Sequence, residues 1–157
     1  MASVNRARDA FARTVRETAE RRVNDAQALQ RAMDKAFEKI GEQAKAVIVN
    51  VLLEEFSQLQ ASTPYDTGRA QAGWLISGEG ASWGFVPAEG QATYQPQRPS
   101  EGSLMRSDVI FVINNVEYIL YLEAGWSKRQ PGGFVANFLN NCKRRIAAEC
   151  AAMSRMS

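Results

Sequence analysis

An apolar stripe with helical spacing runs through the first third of the chain and constrains the fold more than any other feature. Its members recur at steps of three or four residues: Ala26, Leu29, Met33, Phe37, Ile40, Ala44, Val47 and Val51. That spacing places them on one face of a helix. A weaker apolar stripe precedes it and consists of Val4, Ala7, Phe11 and Val15. The charged stretch AERRVNDAQ separates the two stripes. We therefore predict a short helix near 3–21 and a long helix near 25–61.

The ends of the long helix have local signals. Asn24 or Asp25 can cap its start, and Thr63-Pro64 ends it because the residue before proline is pushed out of the helical region. A helix of that length measures roughly 55 Å. Either part of its stripe meets another subunit, or the helix wraps along its own sheet.

The middle of the chain has short strand-like segments. AQAGWLIS alternates like a half-buried strand, with SWGFV as a candidate hairpin partner, and DVIFVIN fits a central strand covered on both faces. The proline- and glycine-rich stretch at 86–106 predicts a long loop. VEYILYLEAGW fits either a strand or a helical turn that Gly125 stops, and the chain ends in an amphipathic helix lined by Phe134, Phe138, Cys142 and Ile146.

This order predicts an α+β fold with a long N-terminal helix, a small, mainly antiparallel sheet and a C-terminal helix. The length of 157 residues suits one domain with an arm. We place the arm at 1–24 and the domain at 25–157. No apolar run approaches the roughly 20 residues of a membrane span, so we expect no membrane association. The charged N-terminus lacks a signal-peptide core, and we expect cytoplasmic synthesis.

Charge is distributed unevenly although the net charge is only +2. Residues 1–45 carry ten basic and seven acidic side chains. Residues 46–127 carry three basic and nine acidic side chains, and residues 128–157 carry six basic side chains and one acidic side chain. An acidic middle between basic ends disfavours a simple DNA-binding domain with one basic face. It suits charge-complementary assembly between copies.

Recognisable catalytic chemistry is missing from the sequence. There is no histidine, which removes the Ser-His and Cys-His pairs and the usual zinc sites. Asp66-Thr67-Gly68 matches the aspartic-protease triplet, but that chemistry needs two adjacent carboxylates and so a symmetric dimer. A turn in which Asp66 caps backbone N–H groups and Gly68 takes a positive φ explains the triplet better. Cys142 and Cys150 lie eight residues apart on one helix, too far for a disulfide, and are expected to be buried thiols.

The chain contains TPYDTGRAQAGW and, further on, NNVEYILYLEAGWSKRQPGGFV. Together these two segments resemble the neck and tail-completion proteins of tailed phages. TPYDTGRAQAGW is similar to the family's Thr-Pro-x-Asp-Thr-Gly stretch, and NNVEYILYLEAGWSKRQPGGFV to its Asn-x-x-x-Tyr-Ala-x-Tyr-x-Glu-aromatic-Gly-Thr-Ser-Lys segment. Both stand in the family's order after a long helix. Ile119, Ala124 and Trp126 depart from the pattern. The motif residues are Thr63, Pro64, Asp66, Thr67, Gly68, Tyr118, Tyr121, Glu123 and Gly125.

The resemblance implies a structural virion protein rather than an enzyme, without cofactor or metal. It implies an oligomeric ring, with six copies, at the head–tail junction. The ring would join the portal or adaptor side to tail-tube or tail-terminator proteins and surround DNA that passes without sequence-specific binding. Assembly would take place in the host cytoplasm, and the resemblance does not distinguish neck from tail completion.

Several residues are candidates for contacts between copies. They are Phe37, Ile40, Trp126, Lys143, Arg144 and Arg145. Tyr118, Tyr121 and Trp126 either anchor an interface or fill the domain core. The alternative function is a nucleic-acid-binding module that uses Lys143-Arg144-Arg145 and the N-terminal arginines.

Overall fold

The computed structural model describes residues 2–80, 85–90 and 99–156. Its elements in chain order are α1 (Ala2–Ile40), α2 (Gln43–Ser62), α3 (Arg69–Ala72), β1 (Trp74–Ser77), α4 (Glu101–Arg106), β2 (Phe111–Asn114), α5 (Ile119–Glu123) and α6 (Phe134–Met156). The predicted fold class is confirmed: a long N-terminal helix, a small antiparallel sheet and a C-terminal helix make an α+β chain that is mainly helical.

The predicted helix boundaries near the N-terminus are wrong. One helix, α1, runs through residues 22–25, and the break falls at Gly41. Residues 2–40 contain neither glycine nor proline, so the charged stretch has no local reason to leave the helix. Gly41 takes a φ of 56°, and its N–H donates to the carbonyl of Phe37 at 3.0 Å. This left-handed cap ends α1. The predicted arm at 1–24 is thus the first part of one continuous helix.

Helix α2 is the centre of the fold. Its buried residues lie on more than one face and include Ile48, Val49, Leu52, Phe56 and Leu59. An apolar face this wide must be covered by other elements, while a polar stripe with Asn50, Glu54 and Ser57 stays exposed. α1 and α6 pack against it and against each other, and Leu104 of α4 is fully buried. α2 ends at Ser62, as Thr63-Pro64 predicts.

The sheet has two antiparallel strands in the described residues. β1 pairs with β2 in a register that sets Trp74 opposite Asn114 and Ser77 opposite Phe111. Of the predicted partner SWGFV, Phe85 and Val86 lie in no strand, while residues 82–84, with Trp83, fall outside the described residues. DVIFVIN does not form a central strand either, because only its last four residues join the sheet.

The structure decides the predictions made for three further segments. The ambiguous VEYILYLEAGW contains a helix, α5, and Gly125 follows it at a φ of 95°. The predicted loop at 86–106 is wrong at its end, since Glu101–Arg106 is helical, while 91–98 lie outside the described residues. The final helix is confirmed, and its predicted inner residues are all buried.

Candidate assembly surface

Thr63 fixes the start of the first motif segment inside the protein. Its hydroxyl donates to the Leu59 carbonyl at 2.7 Å and accepts the indole N–H of Trp74 at 2.8 Å. Thr63 and Trp74 are both buried, and Pro64 is buried beside them. A buried indole N–H without an acceptor would be costly. The Thr63–Trp74 bond therefore ties the end of α2 to the first residue of β1.

The Asp66-Thr67-Gly68 turn has the predicted glycine conformation but a different polar partner. Gly68 takes a φ of 88° and precedes α3. The hydroxyl of Thr67, rather than the Asp66 carboxylate predicted for this role, accepts the backbone N–H of Arg69 at 3.4 Å. Asp66 instead forms an ion pair with Arg129 at 3.3 Å. The turn thus contacts the loop of the second motif segment.

Arg69 and Asn114 join the two motif segments directly. The Asn114 amide donates to the Ala70 carbonyl at 2.8 Å, and its oxygen accepts the Val116 N–H at 3.0 Å. The Arg69 guanidinium donates to Glu117 at 2.8 Å and lies 5.9 Å from the centre of the Tyr118 ring. The hydrogen bond between the two side chains raises the pKa of Arg69 and lowers the pKa of Glu117. Segments more than 40 residues apart are thereby held as one unit.

Glu123 secures the second segment to two helices. Its carboxylate accepts the N–H groups of Val135 at 2.9 Å and Ala136 at 3.1 Å, in the first turn of α6. A carboxylate there satisfies free N–H groups and complements the helix dipole. Arg22 of α1 forms an ion pair with it at 3.1 Å. Burial nevertheless raises the pKa of Glu123.

Gly132 allows the chain to pass close to Glu123. A Cβ at position 132 would lie 2.2 Å from the Glu123 carbonyl oxygen, a distance that no side chain tolerates. The Gly133 N–H donates to that same oxygen at 2.9 Å. The Gly132-Gly133 pair therefore belongs to the same structural junction as Glu123.

A groove of about 560 Å³ lies between the two motif segments. Tyr65, Asp66 and Gly68 line one side, and Tyr118, Lys128 and Arg129 line the other. Asp66 is the one carboxylate among its described lining residues, and 83% of its side chain is exposed. An aspartic-protease centre needs two carboxylates about 3 Å apart, which a single copy does not supply here.

An exposed aromatic cluster adjoins this groove. It consists of Phe11, Tyr121 and Trp126, and the Phe11 ring centre lies 5.4 Å from Tyr121 and 4.0 Å from Trp126. Trp126 is 58% exposed and Tyr121 is 42% exposed. The structure thus favours the interface alternative over the core alternative for these two, whereas Tyr118 is partly buried under Arg69. Large exposed aromatics are typical anchors of protein interfaces.

The other candidate interface residues separate into two groups. Phe37 is 42% exposed, Ile40 and Lys143 are partly buried and Arg144 is exposed. Arg145 is a correction: its guanidinium forms ion pairs with Glu54 and with buried Glu55, the latter at 2.8 Å. Both carboxylates belong to α2, so the pairs link α6 to α2, with Glu55 buried and Glu54 exposed. Arg145 is therefore occupied within the fold.

Four residues of this surface were missed from the sequence: Phe11, Arg22, Arg69 and Arg129. Arg69 and Arg129 stand inside the two motif segments, and that position was the signal available. Phe11 and Arg22 lie on α1, more than 100 residues from Trp126 and Glu123. No local sequence pattern predicts contacts between residues that lie so far apart in the chain.

Comparisons of this chain with protein-family models, with curated proteins and with solved structures find no match. In the described ranges, no group of three or more Cys, Asp or Glu side chains is placed to hold a metal ion. None of the helices in that part of the chain is long and apolar enough to cross a membrane.

Proposed function

We propose that this chain is a structural virion protein of a tailed phage, in the neck or tail-completion position, and that it has no catalytic role. In this proposal its copies form a ring of six at the head–tail junction. The ring joins the portal or adaptor side to tail-tube or tail-terminator proteins and surrounds the DNA channel. The chain assembles in the host cytoplasm and acts in the virion.

The observation that carries the proposal is the exposed aromatic cluster beside the junction of the two motif segments. Buried and partly buried hydrogen bonds through Thr63, Asn114 and Glu123 brace that junction. Trp126 and Tyr121 project from it into solvent. A rigid base under exposed aromatics lowers the ordering cost of an interface. Such a surface is suited to contact between subunits.

A closed ring needs two different complementary patches on each copy. The aromatic cluster with the motif groove supplies one patch. The face of α1 that carries exposed Phe37 is a candidate for the second, because Met33, Phe37, Val109 and Ile110 line a groove of about 470 Å³ there. Apolar side chains from a neighbour can fill such a groove.

The proposal is tested in the phage whose genome encodes this chain. A stop codon in the gene is expected to yield heads that lose DNA and do not attach tails. The variant Trp126→Ser with Tyr121→Ser is expected to fold but to reproduce that defect. Met156→Ser removes an exposed apolar side chain elsewhere and serves as the control. Filled, tailed and infectious particles made without the chain would overturn the proposal.

A further inference from the structure

A second groove, of about 750 Å³, lies between α1 and α6, and we call it the α1–α6 groove. Arg31, Lys35 and Lys39 of α1 line it together with Lys143 and Arg144 of α6. No acidic side chain is among its lining residues. Its floor consists of small residues, including Ala32, Ala36 and Ala147.

The five cations of this groove have no ion-pair partner in the described part of the chain. Arg144 donates only to the amide oxygen of its neighbour Asn141, at 3.1 Å. Arg22, Arg69, Arg129 and Arg145, by contrast, are all paired with carboxylates. Five like charges held around one groove repel each other, and an anionic occupant would relieve that repulsion.

The chain itself does not supply such an occupant. Most acidic side chains of the middle segment are already paired internally, among them Glu54, Glu55, Asp66, Glu117 and Glu123. The excess of negative charge in residues 46–127 is therefore largely neutralised by ion pairs within the fold. An anionic occupant of this groove would therefore have to come from another molecule.

We infer that the α1–α6 groove binds the sugar–phosphate backbone of nucleic acid without reading its sequence. Arg31, Lys35 and Lys39 recur every four residues, about 6 Å apart along one helix face. Together they span about 12 Å, the length of three to four phosphates along one DNA strand. Basic rims suit phosphates, and the alanine floor lets the apolar sugar carbons approach closely. The proposed ring role neither requires this inference nor depends on it.

The test is the salt dependence of binding between the purified full-length chain and duplexes of two unrelated sequences, followed by fluorescence anisotropy. Five phosphate contacts predict a slope of log K against log salt of about −4.5, equal for both sequences. The variant Arg31→Gln/Lys35→Gln/Arg144→Gln is expected to reduce the slope to about −2, because each lost contact removes about one unit. All three residues are exposed, and glutamine is a good helix former, so circular dichroism should be unchanged.

The matched control is Arg6→Gln/Arg8→Gln/Arg13→Gln, which removes the same charge from exposed residues near the N-terminus. It is expected to keep most of the slope. An equal loss in both triple variants, or no loss in the groove variant, would overturn the inference. So would displacement of the DNA by poly-glutamate at equal charge concentration, which would identify the groove as a site for acidic protein.

Discussion

At the scale of single residues, the hydrogen bond between the Trp74 indole and the Thr63 hydroxyl best shows how the first motif segment is held. Both side chains are buried. The Trp74 ring also packs edge to face against Phe134 of α6, with 6.4 Å between the ring centres. The sequence identified Thr63 as a helix stop because proline follows it. Its second role, as acceptor for a tryptophan 11 residues later, depends on the turn geometry between them and was not predicted.

Trp74→Phe is expected to lower the free energy of unfolding by about 1–3 kcal/mol, because the Thr63 hydroxyl loses a buried partner. Thr63→Val should cost a similar amount by stranding the indole N–H. The double variant should cost clearly less than the sum of the two, since each single change removes the same bond. Urea unfolding of the four proteins measures this coupling, and strict additivity would show that the bond contributes nothing.

Cys142 gives a prediction about pH. Burial raises the pKa of its thiol from its usual value of 9.0 to about 12. The unfolded thiol ionises above pH 9 while the folded one stays protonated, so the stabilising contribution present below pH 9 is lost as pH rises toward 12. The free energy of unfolding should fall by about 1.4 kcal/mol per pH unit from this group. In Cys142→Ala this decrease in the free energy of unfolding with pH should be absent. If the free energy of unfolding falls equally with pH in the variant and the parent, the effect does not come from Cys142.

At the scale of elements, the helices were the most predictable part of the fold and their boundaries the least. Apolar residues at steps of three and four predicted helical structure across almost all of α1 and α2. Ile40 and Ala44 keep that step across Gly41, so the stripe concealed the real break. At residues 22–25 the apolar stripe is interrupted by polar side chains, but the backbone stays helical. The strand that β1 pairs with in the described residues begins more than 30 residues later in the chain, and no local pattern predicts a pairing at that separation.

Arg145 ties α6 to α2 and tests that link between elements. Arg145→Ala would leave the buried Glu55 carboxylate without its cation, and we expect a loss of up to about 3 kcal/mol in the free energy of unfolding. Arg144→Ala changes the same charge on the adjacent exposed residue and should stay within about 0.5 kcal/mol of the parent. Thermal unfolding distinguishes the two, and equal melting temperatures would refute an internal role for Arg145.

At the scale of the whole molecule, the two motif segments lie far apart in the sequence and contact each other in the fold. Asp66-Thr67-Gly68 by itself suggests a protease, whereas in the fold it lies against Arg129 and lines a groove together with Tyr118. The sequence identified the two motif segments that meet here, and their contact with a neighbouring copy stays a prediction. It could not predict that Phe11 completes the aromatic cluster, because the contact depends on where a 39-residue helix passes over α5.

The central claim is that this chain works as one subunit of a ring, with its aromatic cluster against a neighbour. Electron cryomicroscopy of the head–tail junction in particles of the encoding phage tests it most directly. The account predicts a closed ring of six copies around the DNA channel, with Tyr121 and Trp126 covered by the adjacent copy. A junction without this chain, or a ring in which both side chains remain exposed to solvent, would contradict it.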